Sequence, residues 1–299
     1  KSSSFSLVHP LDQTQSDPLG FVRVRACSIP IEVAGVKKNL VSIKKAVVDA
    51  VKDHVAVLVL PELCLTGYTL NDLFFLESIQ KLVASSIREL ESWSKEYPIF
   101  FSFGAPLFKN NKIYNCAINI CAGKLLGVTP KSNLPNYNEF YETRQFTPAM
   151  EHNDTIEIAG KSYPFGKKLV YVDENYLKLR IGVEICEDAW VPITPSSYLA
   201  LAGADLILNL SASNEVVGKK EYRENLVKML SARLCAAYAY ADAGNGESTT
   251  DLVFGSHNII AENGKILSES PLFQMKDATS DIDVEKILSE RRKMTTFLN

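Results

Sequence analysis

The run VAVLVL, residues 55–60, holds six apolar residues and no polar one. A strand with one face in water alternates apolar and polar side chains, whereas a strand buried on both faces is apolar throughout. The run follows a segment, residues 36–54, in which apolar residues recur at the spacing of an amphipathic helix. A helix that leads into a strand buried on both faces is typical of a layered α/β fold.

The same periodicities continue along the chain and predict further elements. The predicted strands span residues 21–29, 99–108, 113–121, 124–130, 168–172, 177–185, 205–210 and 236–241, with a hairpin-like pair near 252–260 and 265–268. The predicted helices span about 71–96, 196–202 and 219–237. Because strands alternate with helices early and late, with antiparallel-looking pairs between, we expect one α/β domain with a mixed sheet over residues 21–299. Residues 1–20 are interpreted as a loose leader or remnant.

The charge and the composition argue against several classes of partner. The 299 residues carry a net charge of −3, which gives no electrostatic reason to expect nucleic acid or an anionic membrane as partner. No apolar run approaches the roughly 20 residues that cross a bilayer. The six cysteines contain no CxxC pair and the four histidines no zinc-like spacing. We therefore expect neither a disulfide framework nor a structural metal, and a reducing cytoplasm fits best.

Three residues able to do chemistry share one position, because each comes just after a predicted strand. Glu62 follows VAVLVL, Lys131 follows KLLGVTP and Cys186 follows LRIGVEI. Loops at strand ends are where α/β proteins assemble their sites. A Cys186 thiolate would attack a carbonyl carbon, and Glu62 would take the thiol proton and pass it to a leaving amine. Lys131 would stabilise the oxyanion together with a backbone N–H.

The segment GVEICEDAW places Cys186 among three acidic residues, Glu184, Glu187 and Asp188. Negative charge nearby raises the pKa of a thiol and makes it a poorer nucleophile at neutral pH. A cation from far along the chain, such as Lys131, would offset this effect. Taken alone, the cysteine also fits the role of a small buried apolar residue, and the glutamate and lysine fit the roles of a cap and a solvated charge. The residues by themselves leave both interpretations open.

Several motifs occur together in this chain, and as a set they resemble one family. They are LPELCLTGY, KSNLPNYNEFYETRQF, EICEDAW, NLSAS followed by GKK, STTDLVFGSHNIIAENGKIL and SERRKMTTF. The set resembles the nitrilase superfamily, and more narrowly the N-terminal glutaminase domain of glutamine-dependent NAD⁺ synthetases. The resemblance covers about residues 21–298. It implies a nitrilase-like αββα four-layer sandwich with mixed sheets, in agreement with the α/β interpretation above.

The resemblance also implies roles for particular residues. The Glu–Lys–Cys triad of the superfamily falls on Glu62, Lys131 and Cys186, and the second glutamate that supports the lysine falls on Glu142. The glutamine-binding positions fall on Tyr137, Glu187, Trp190, Ser213 and Lys219, with Trp190 as a wall of the pocket. A free amino acid needs an anion for its ammonium group and a cation for its carboxylate, which suits Glu187 and Lys219.

The implied substrate is L-glutamine, hydrolysed to glutamate and ammonia. In the proteins that the chain resembles, ammonia passes through a tunnel to a C-terminal synthetase domain, which uses ATP and Mg²⁺ to convert nicotinic acid adenine dinucleotide to NAD⁺. The SGGxDS-type loop of that domain does not occur in this sequence, so we expect no cofactor and no metal for the glutaminase domain itself. Glutaminase domains of this family usually form large homo-oligomers. AGNGEST, residues 243–249, is only a weak dinucleotide signal and better fits a loop that borders the pocket or an interface.

Two alternatives stay open at this point. One is a stand-alone nitrilase-type amidase or carbamoylase, an enzyme of the same chemistry with another substrate. The other is a non-catalytic docking domain whose pocket survives without turnover. A panel of amide substrates separates the first alternative from the glutaminase. Covalent labelling of Cys186 without turnover would point to a competent site that awaits its partner.

Overall fold

The computed structural model describes residues 2–5, 20–175 and 179–297. Fifteen strands are described: β1 Ser2–Phe5, β2 Phe21–Ala26, β3 Val57–Val59, β4 Phe100–Lys109, β5 Lys112–Cys121, β6 Lys124–Pro130, β7 Asp154–Ile158, β8 Lys161–Phe165, β9 Val170–Asp173, β10 Arg180–Ile185, β11 Leu206–Leu210, β12 Ala237–Ala241, β13 Ile259–Glu262, β14 Lys265–Glu269 and β15 Ala278–Asp283. The described α-helices are α1 Val36–Lys52, α2 Glu77–Trp93, α3 Pro195–Leu201, α4 Lys219–Arg233 and α5 Val284–Lys293. Short 3-10 helices span Tyr68–Phe75, Ser94–Glu96, Glu142–Arg144 and Cys186–Ala189.

The strands form two mixed sheets. The eight-stranded sheet has the order β15-β2-β3-β4-β5-β6-β8-β7, and the seven-stranded sheet has the order β1-β9-β10-β11-β12-β13-β14. Each sheet has a parallel centre, β2-β3-β4 in one and β10-β11-β12 in the other, and mostly antiparallel pairs toward its edges. The parallel centres arise because α1, α2, α3 and α4 each connect one strand to a later parallel one.

The alternation of side chains along the central strands produces four layers. Val57 and Val59 face the core between the two sheets, whereas Leu58 faces the core beneath α1 and α2. On the other sheet, Leu206 and Leu208 join the core between the sheets, whereas Ile207 joins a core with α3 and α4. Both faces of each central strand are therefore buried, as the apolar run at 55–60 predicts. The αββα sandwich with mixed sheets is confirmed.

The topology brings the ends of distant strands together. Glu62 comes three residues after β3 ends, Lys131 directly after β6 and Cys186 directly after β10. The loop after β3 is tied to the opposite sheet, since the Glu62 backbone N–H donates to the carbonyl oxygen of Ser211, just beyond β11, at 3.3 Å. This contact joins the loop after β3 to the other sheet.

The structure adds elements that the sequence analysis did not predict. These are the β7–β8 hairpin and the C-terminal pair formed by β15 and α5. The helix predicted over 71–96 is divided, because Leu76 has an extended backbone (φ −73°, ψ 125°) between the 3-10 helix Tyr68–Phe75 and α2. Among the described residues, no helix combines the length and apolar character that a membrane span requires.

The segment interpreted as a loose leader, residues 1–20, contains one ordered element. Strand β1 pairs in parallel with β9, and the Phe5 ring lies 5.1 Å from the Phe100 ring, centroid to centroid. The expectation of a loose segment is therefore wrong for Ser2–Phe5, because Phe5 is an apolar anchor that closes one edge of the core between the sheets. Residues 1 and 6–19 lie outside the described residues.

Candidate active site

Glu62, Lys131 and Glu142 form a cluster of buried charges. The Lys131 Nζ lies 2.7 Å from Oε1 of Glu62 and 2.7 Å from Oε1 of Glu142. All three residues are buried. Burying a charge is costly unless it is paired and hydrogen-bonded, so a lysine enclosed by two carboxylates indicates a site built around ionised groups.

Further hydrogen bonds fix both carboxylates. Glu62 accepts from Asn115 Nδ2 at 2.6 Å and from the Ala212 backbone N–H at 2.9 Å, and Glu142 accepts from the Tyr68 hydroxyl at 2.8 Å. Among the described residues, Lys131 Nζ has hydrogen bonds to the two carboxylates alone. One of its three N–H groups therefore has no hydrogen-bond partner among the described residues.

The electrostatics keep the lysine charged. Burial by itself would lower the pKa of Lys131, but Glu142 and Glu62 outweigh it and raise that pKa well above its ordinary value. Burial raises the pKa of Glu142 to about 7, against the opposing effect of Lys131. Lys131 is thus a cation near neutral pH, held between two buried carboxyl groups.

Cys186 lies at a sharp turn at the end of β10. Its φ is +43°, in the left-handed region, and its backbone N–H donates to Asn209 Oδ1 at 3.2 Å. Burial raises the pKa of the Cys186 thiol well above its ordinary value, Glu62 adds to the rise and Lys131 opposes it. The thiol is therefore protonated at neutral pH, and it needs a base to become a nucleophile.

The three acidic neighbours of Cys186 in the sequence are engaged elsewhere. Glu184 accepts from the Tyr238 hydroxyl at 2.5 Å, and Glu187 accepts from the Tyr137 hydroxyl at 2.8 Å. Asp188 accepts from the Ser132 and Asn133 backbone N–H groups, at 3.2 and 2.8 Å, and so fixes the loop that follows Lys131. The main contributions to the thiol pKa come instead from burial and Glu62. Glu184, Glu187 and Asp188 are thus not among the main contributions to the thiol pKa, whereas Lys131 does oppose the rise, as the sequence analysis expected.

The five residues predicted to bind substrate line one cleft with Cys186. The cleft has a volume of about 500 Å³, within the range of small-molecule sites. Its lining includes Tyr137, Glu187, Trp190, Ser213 and Lys219. The structure therefore brings all of them into one cleft with Cys186, although they lie on three separate segments of the chain.

The cleft holds opposite charges. Lys219 begins α4, and its Nζ lies 5.2 Å from the centre of the Trp190 ring and 5.9 Å from that of Phe140. Burial lowers the pKa of Lys219 from its ordinary value. The ammonium group also donates to Asn214 Oδ1. Together with the Glu187 carboxylate, this arrangement offers an anion and a cation to a zwitterionic ligand.

Comparison with known proteins decides the family. The family model described as "Carbon-nitrogen hydrolase" matches residues 23–292. This chain belongs to the carbon-nitrogen hydrolase family. The buried Glu62–Lys131 pair and Cys186 all lie inside the matched region, which includes strands β3 to β15, most of β2, four of the five described α-helices and nearly all of α5.

Within this family, the chain is similar to proteins named glutamine-dependent NAD(+) synthetase. The protein of that name from Mycobacterium leprae is 40% identical over 289 residues, which cover 96% of this chain and 42% of the relative. A solved structure of a glutamine-dependent NAD(+) synthetase from Cytophaga hutchinsonii has a TM-score of 0.78 at 30% identity, covering 88% of this chain and 43% of that one. The chain therefore spans about two fifths of the length of these relatives.

A second kind of structural neighbour supports the fold alone. A nitrilase-superfamily amidase from Nesterenkonia has a TM-score of 0.72 at 18% identity and covers 93% of this chain and 97% of that one. The carbon-nitrogen hydrolase fold of this chain is therefore also found in a protein of about the same length.

Several residues that shape the site escaped the sequence analysis. Asn115 and Tyr68 hold the two carboxylates, and Arg223 is completely buried against Glu215 at 2.9 Å and donates to Ser213 Oγ at 3.4 Å. A polar residue in the apolar strand IYNCAINIC was the available signal for Asn115. For Arg223 the sequence contains no such signal, because an arginine in an amphipathic helix is usually exposed.

Part of the AGNGEST segment, residues 243–249, borders the candidate site, a position that does not fit a nucleotide-binding loop. Glu247 is buried and accepts hydrogen bonds from the backbone N–H groups of Tyr68 and Thr69 at 2.7 and 3.0 Å. Ser248 lines a small cavity with Tyr68 and Glu142. The carboxylate therefore anchors the loop that carries Tyr68, which fits the expectation of a segment bordering the pocket.

One group among the described residues has the donor spacing of a metal site, namely Glu224, His257 and Glu269. Arg223 donates to His257 Nδ1 at 3.0 Å, so the neutral imidazole carries its proton on Nε2 and has no lone pair there for a metal. Lys220 already lies between the two carboxylates. These contacts fit an ion-pair network better than a metal centre.

Proposed function

We propose that this domain is a glutaminase, which hydrolyses L-glutamine to glutamate and ammonia through a thioester on Cys186. The observation that carries the proposal is that one site combines a reactive cluster with a charged cleft. A cysteine at a strained turn, beside a buried Glu62–Lys131 pair, opens onto a cleft whose walls carry Glu187 and Lys219. The similarity to proteins named glutamine-dependent NAD(+) synthetase supports this choice of substrate.

The first half of the reaction forms the thioester. Glu62 takes the proton of the Cys186 thiol as the sulfur attacks the carboxamide carbon, and the carbonyl oxygen becomes an oxyanion. The free N–H of Lys131 stabilises that oxyanion. Glu62 then passes the proton to the amide nitrogen, the carbon–nitrogen bond breaks and ammonia leaves.

The second half regenerates the thiol. Glu62 takes a proton from a water molecule, whose oxygen attacks the thioester carbon. The carbon–sulfur bond breaks, glutamate leaves, and the sulfur recovers the proton. Among the described residues, Oε2 of Glu62 accepts one hydrogen bond, from Ala212, which leaves it capacity to receive a proton in both halves. Glu142 holds Lys131 in place throughout.

Recognition of the substrate follows from the charges of the cleft. The carboxylate of Glu187, oriented by Tyr137, would bind the α-ammonium group of glutamine, and Lys219 would bind its α-carboxylate. Trp190 supplies a flat wall, and Ser213 adds a hydroxyl. A simple aliphatic amide would make neither charged contact and would therefore bind more weakly.

The relatives suggest the setting of this reaction. We infer that the ammonia is used by a synthetase domain that amidates nicotinic acid adenine dinucleotide, and that ATP and Mg²⁺ belong to that domain. A homo-oligomer in the cytoplasm is part of the same proposal. In the glutaminase step every proposed role is filled by an amino-acid side chain, so no cofactor or metal is invoked.

The test of the proposal is a substrate panel. Purified protein is given L-glutamine, L-asparagine, a short aliphatic amide and an N-carbamoyl amino acid, and ammonia release is followed for each. The proposal expects the highest kcat/KM for L-glutamine and a glutamyl adduct on Cys186 with a glutamine-mimicking affinity label. A higher kcat/KM for the aliphatic amide or the carbamoyl compound would contradict it and favour the stand-alone amidase.

A further inference from the structure

A chain of buried hydrogen bonds runs from the backbone of Cys186 to the start of α3. The Cys186 N–H donates to Asn209 Oδ1 at 3.2 Å, and Asn209 Nδ2 donates to the Tyr238 hydroxyl at 3.0 Å. Tyr238 donates to Glu184 Oε1 at 2.5 Å, and the Ser196 backbone N–H donates to Glu184 Oε2 at 2.8 Å. All five residues are at least nine-tenths buried.

The direction of every bond in this chain is fixed from its ends. A backbone N–H can only donate, so Asn209 must present its oxygen to Cys186 and its NH₂ group to Tyr238. Tyr238 then has one proton left, and its remaining neighbour in the chain is a carboxylate that accepts at both oxygens. With Glu184 ionised, these hydrogen bonds have one consistent arrangement of donors and acceptors.

The register of the sheet explains how the members meet. Glu184 on β10 pairs with Asn209 on β11, and Tyr238 lies on the next strand, β12. Val183 and Ile185, which flank Glu184 in β10, face the core between the sheets, so Glu184 points to the opposite face of the sheet. A carboxylate two residues before the nucleophile thus has a partner network of its own, separate from the Glu62–Lys131 pair.

The network acts on a strained backbone. A non-glycine residue in the left-handed region is strained, and such strain persists where surrounding contacts over-determine the conformation. Cys186 has this conformation at φ +43°, and its backbone N–H is the first donor of the hydrogen-bond chain. Loss of these hydrogen bonds would allow the turn to relax and move the Cys186 sulfur away from Glu62.

We propose that Glu184, Tyr238 and Asn209 are positioning residues that hold the Cys186 turn in its reactive conformation. The inference rests on the proposed function for its kinetic part. The reactivity of the Cys186 thiol toward an alkylating agent tests it without any substrate.

The experiment compares Tyr238→Phe with Tyr240→Phe. Both tyrosines are completely buried on the same face of β12, but the Tyr240 hydroxyl lies next to Ser211 and bonds none of the five residues of the hydrogen-bond chain. Iodoacetamide is used as the probe, with the adduct on Cys186 quantified by mass spectrometry. For Tyr238→Phe we expect the rate constant of alkylation and kcat for L-glutamine each to fall about tenfold or more, with KM within twofold. For Tyr240→Phe we expect the alkylation rate constant, kcat and KM all to stay within twofold of the wild-type values.

The two assays separate the two proposals. If the wild-type protein neither releases ammonia from glutamine nor forms the glutamyl adduct on Cys186, the proposed function fails, while the alkylation comparison still decides the role of the hydrogen-bond chain. Wild-type alkylation in Tyr238→Phe, or an equal loss in Tyr240→Phe, overturns the inference. If Tyr238→Phe does not fold, Glu184→Gln decides instead: slowed alkylation supports the positioning role and wild-type alkylation overturns it.

Discussion

The Cys186 thiol is the group whose reactivity depends most on its surroundings. Burial raises its pKa, the buried Glu62 carboxylate adds to the rise, and Glu62 is the proposed base. Glu62→Gln keeps the shape of the side chain but cannot take the proton, so we expect kcat/KM for L-glutamine to fall by about 10²–10⁴. Steady-state ammonia release measures this, with circular dichroism to confirm folding. A loss below fivefold would show that another group removes the proton.

Lys219 gives a second prediction at the same scale. In Lys219→Met the α-carboxylate of glutamine loses a charged partner, and a charge-assisted hydrogen bond contributes about 1.5–3 kcal/mol. We expect KM for L-glutamine to rise about 10- to 100-fold, with a much smaller change in kcat. The matched control is Lys220→Met, because Lys220 contacts Glu224 and Glu269 outside the cleft. Equal effects in both variants would contradict the assigned role.

The residues that do the proposed chemistry could be found in the sequence, and those that hold them could not. Glu62, Lys131 and Cys186 each follow a strand, and that position is visible in a single segment. Asn115 contacts Glu62 across 53 residues, and Tyr68 contacts Glu142 across 74. Such partners depend on strand register and loop path, which no local pattern encodes.

Among the elements, the turn after β3 depends on a glycine in β4. A Cβ on Gly104 would lie 2.0 Å from the Leu63 nitrogen and 2.6 Å from the Glu62 carbonyl carbon. In Gly104→Ala the turn must therefore move, and overpacking of this kind costs about 1–3 kcal/mol. We expect that loss of unfolding free energy in urea, together with a kcat at least tenfold lower. A variant with wild-type kcat would contradict a rigid coupling between β4 and Glu62.

A second glycine supplies the control for this change. Gly160, in the β7–β8 turn, has φ +78°, and a Cβ at this position would meet no described atom within 4 Å. Gly160→Ala therefore introduces backbone strain without a clash near the site, at a cost of about 1–2 kcal/mol. Stability should fall in both variants, whereas kcat should fall in Gly104→Ala alone.

The strands and helices with strong periodicity were predicted well, and the weaker ones were missed. Strand β3 and helix α1 follow directly from apolar spacing. The β7–β8 hairpin was missed because its strands have five residues each and Pro164 interrupts the second. The break at Leu76 lies inside an apolar stretch. The apolar spacing of such a stretch is the same whether it forms one helix or a helix interrupted by a tight turn.

For the whole molecule, buried carboxyl groups make stability depend on pH. Burial raises the pKa of Asp242 from 3.8 to about 6, against the opposing charge of Arg223. The folded state thus binds this proton more tightly than the unfolded state, so the stability from Asp242 is full below about pH 4 and is lost as pH rises through 6. In Asp242→Asn the slope of unfolding free energy against pH should become less negative by up to about 1.4 kcal/mol per pH unit in that window.

Urea unfolding at several pH values from 4 to 7 measures this slope. The difference between the wild-type and variant slopes isolates Asp242, because the other buried carboxyls contribute equally to both proteins. Identical slopes would show that the Asp242 carboxyl has its ordinary pKa in the folded protein.

At this scale the sequence predicted an α/β domain but not its division into two sheets. Nothing in the apolar pattern assigns β2 and β10 to different sheets, since both are buried strands near helices. That division came from the resemblance to a family, and the site depends on it. Glu62 and Lys131 follow strands of one sheet, and Cys186 follows a strand of the other.

The most direct test of the account is ammonia release from L-glutamine by the wild type, Cys186→Ala and Cys64→Ala. Cys64 is a buried thiol two residues after Glu62, and burial raises its pKa to about 12, which makes it a matched control. The account predicts that wild type and Cys64→Ala release ammonia at similar rates and that Cys186→Ala releases none above background. Ammonia release that persists in Cys186→Ala would contradict the account.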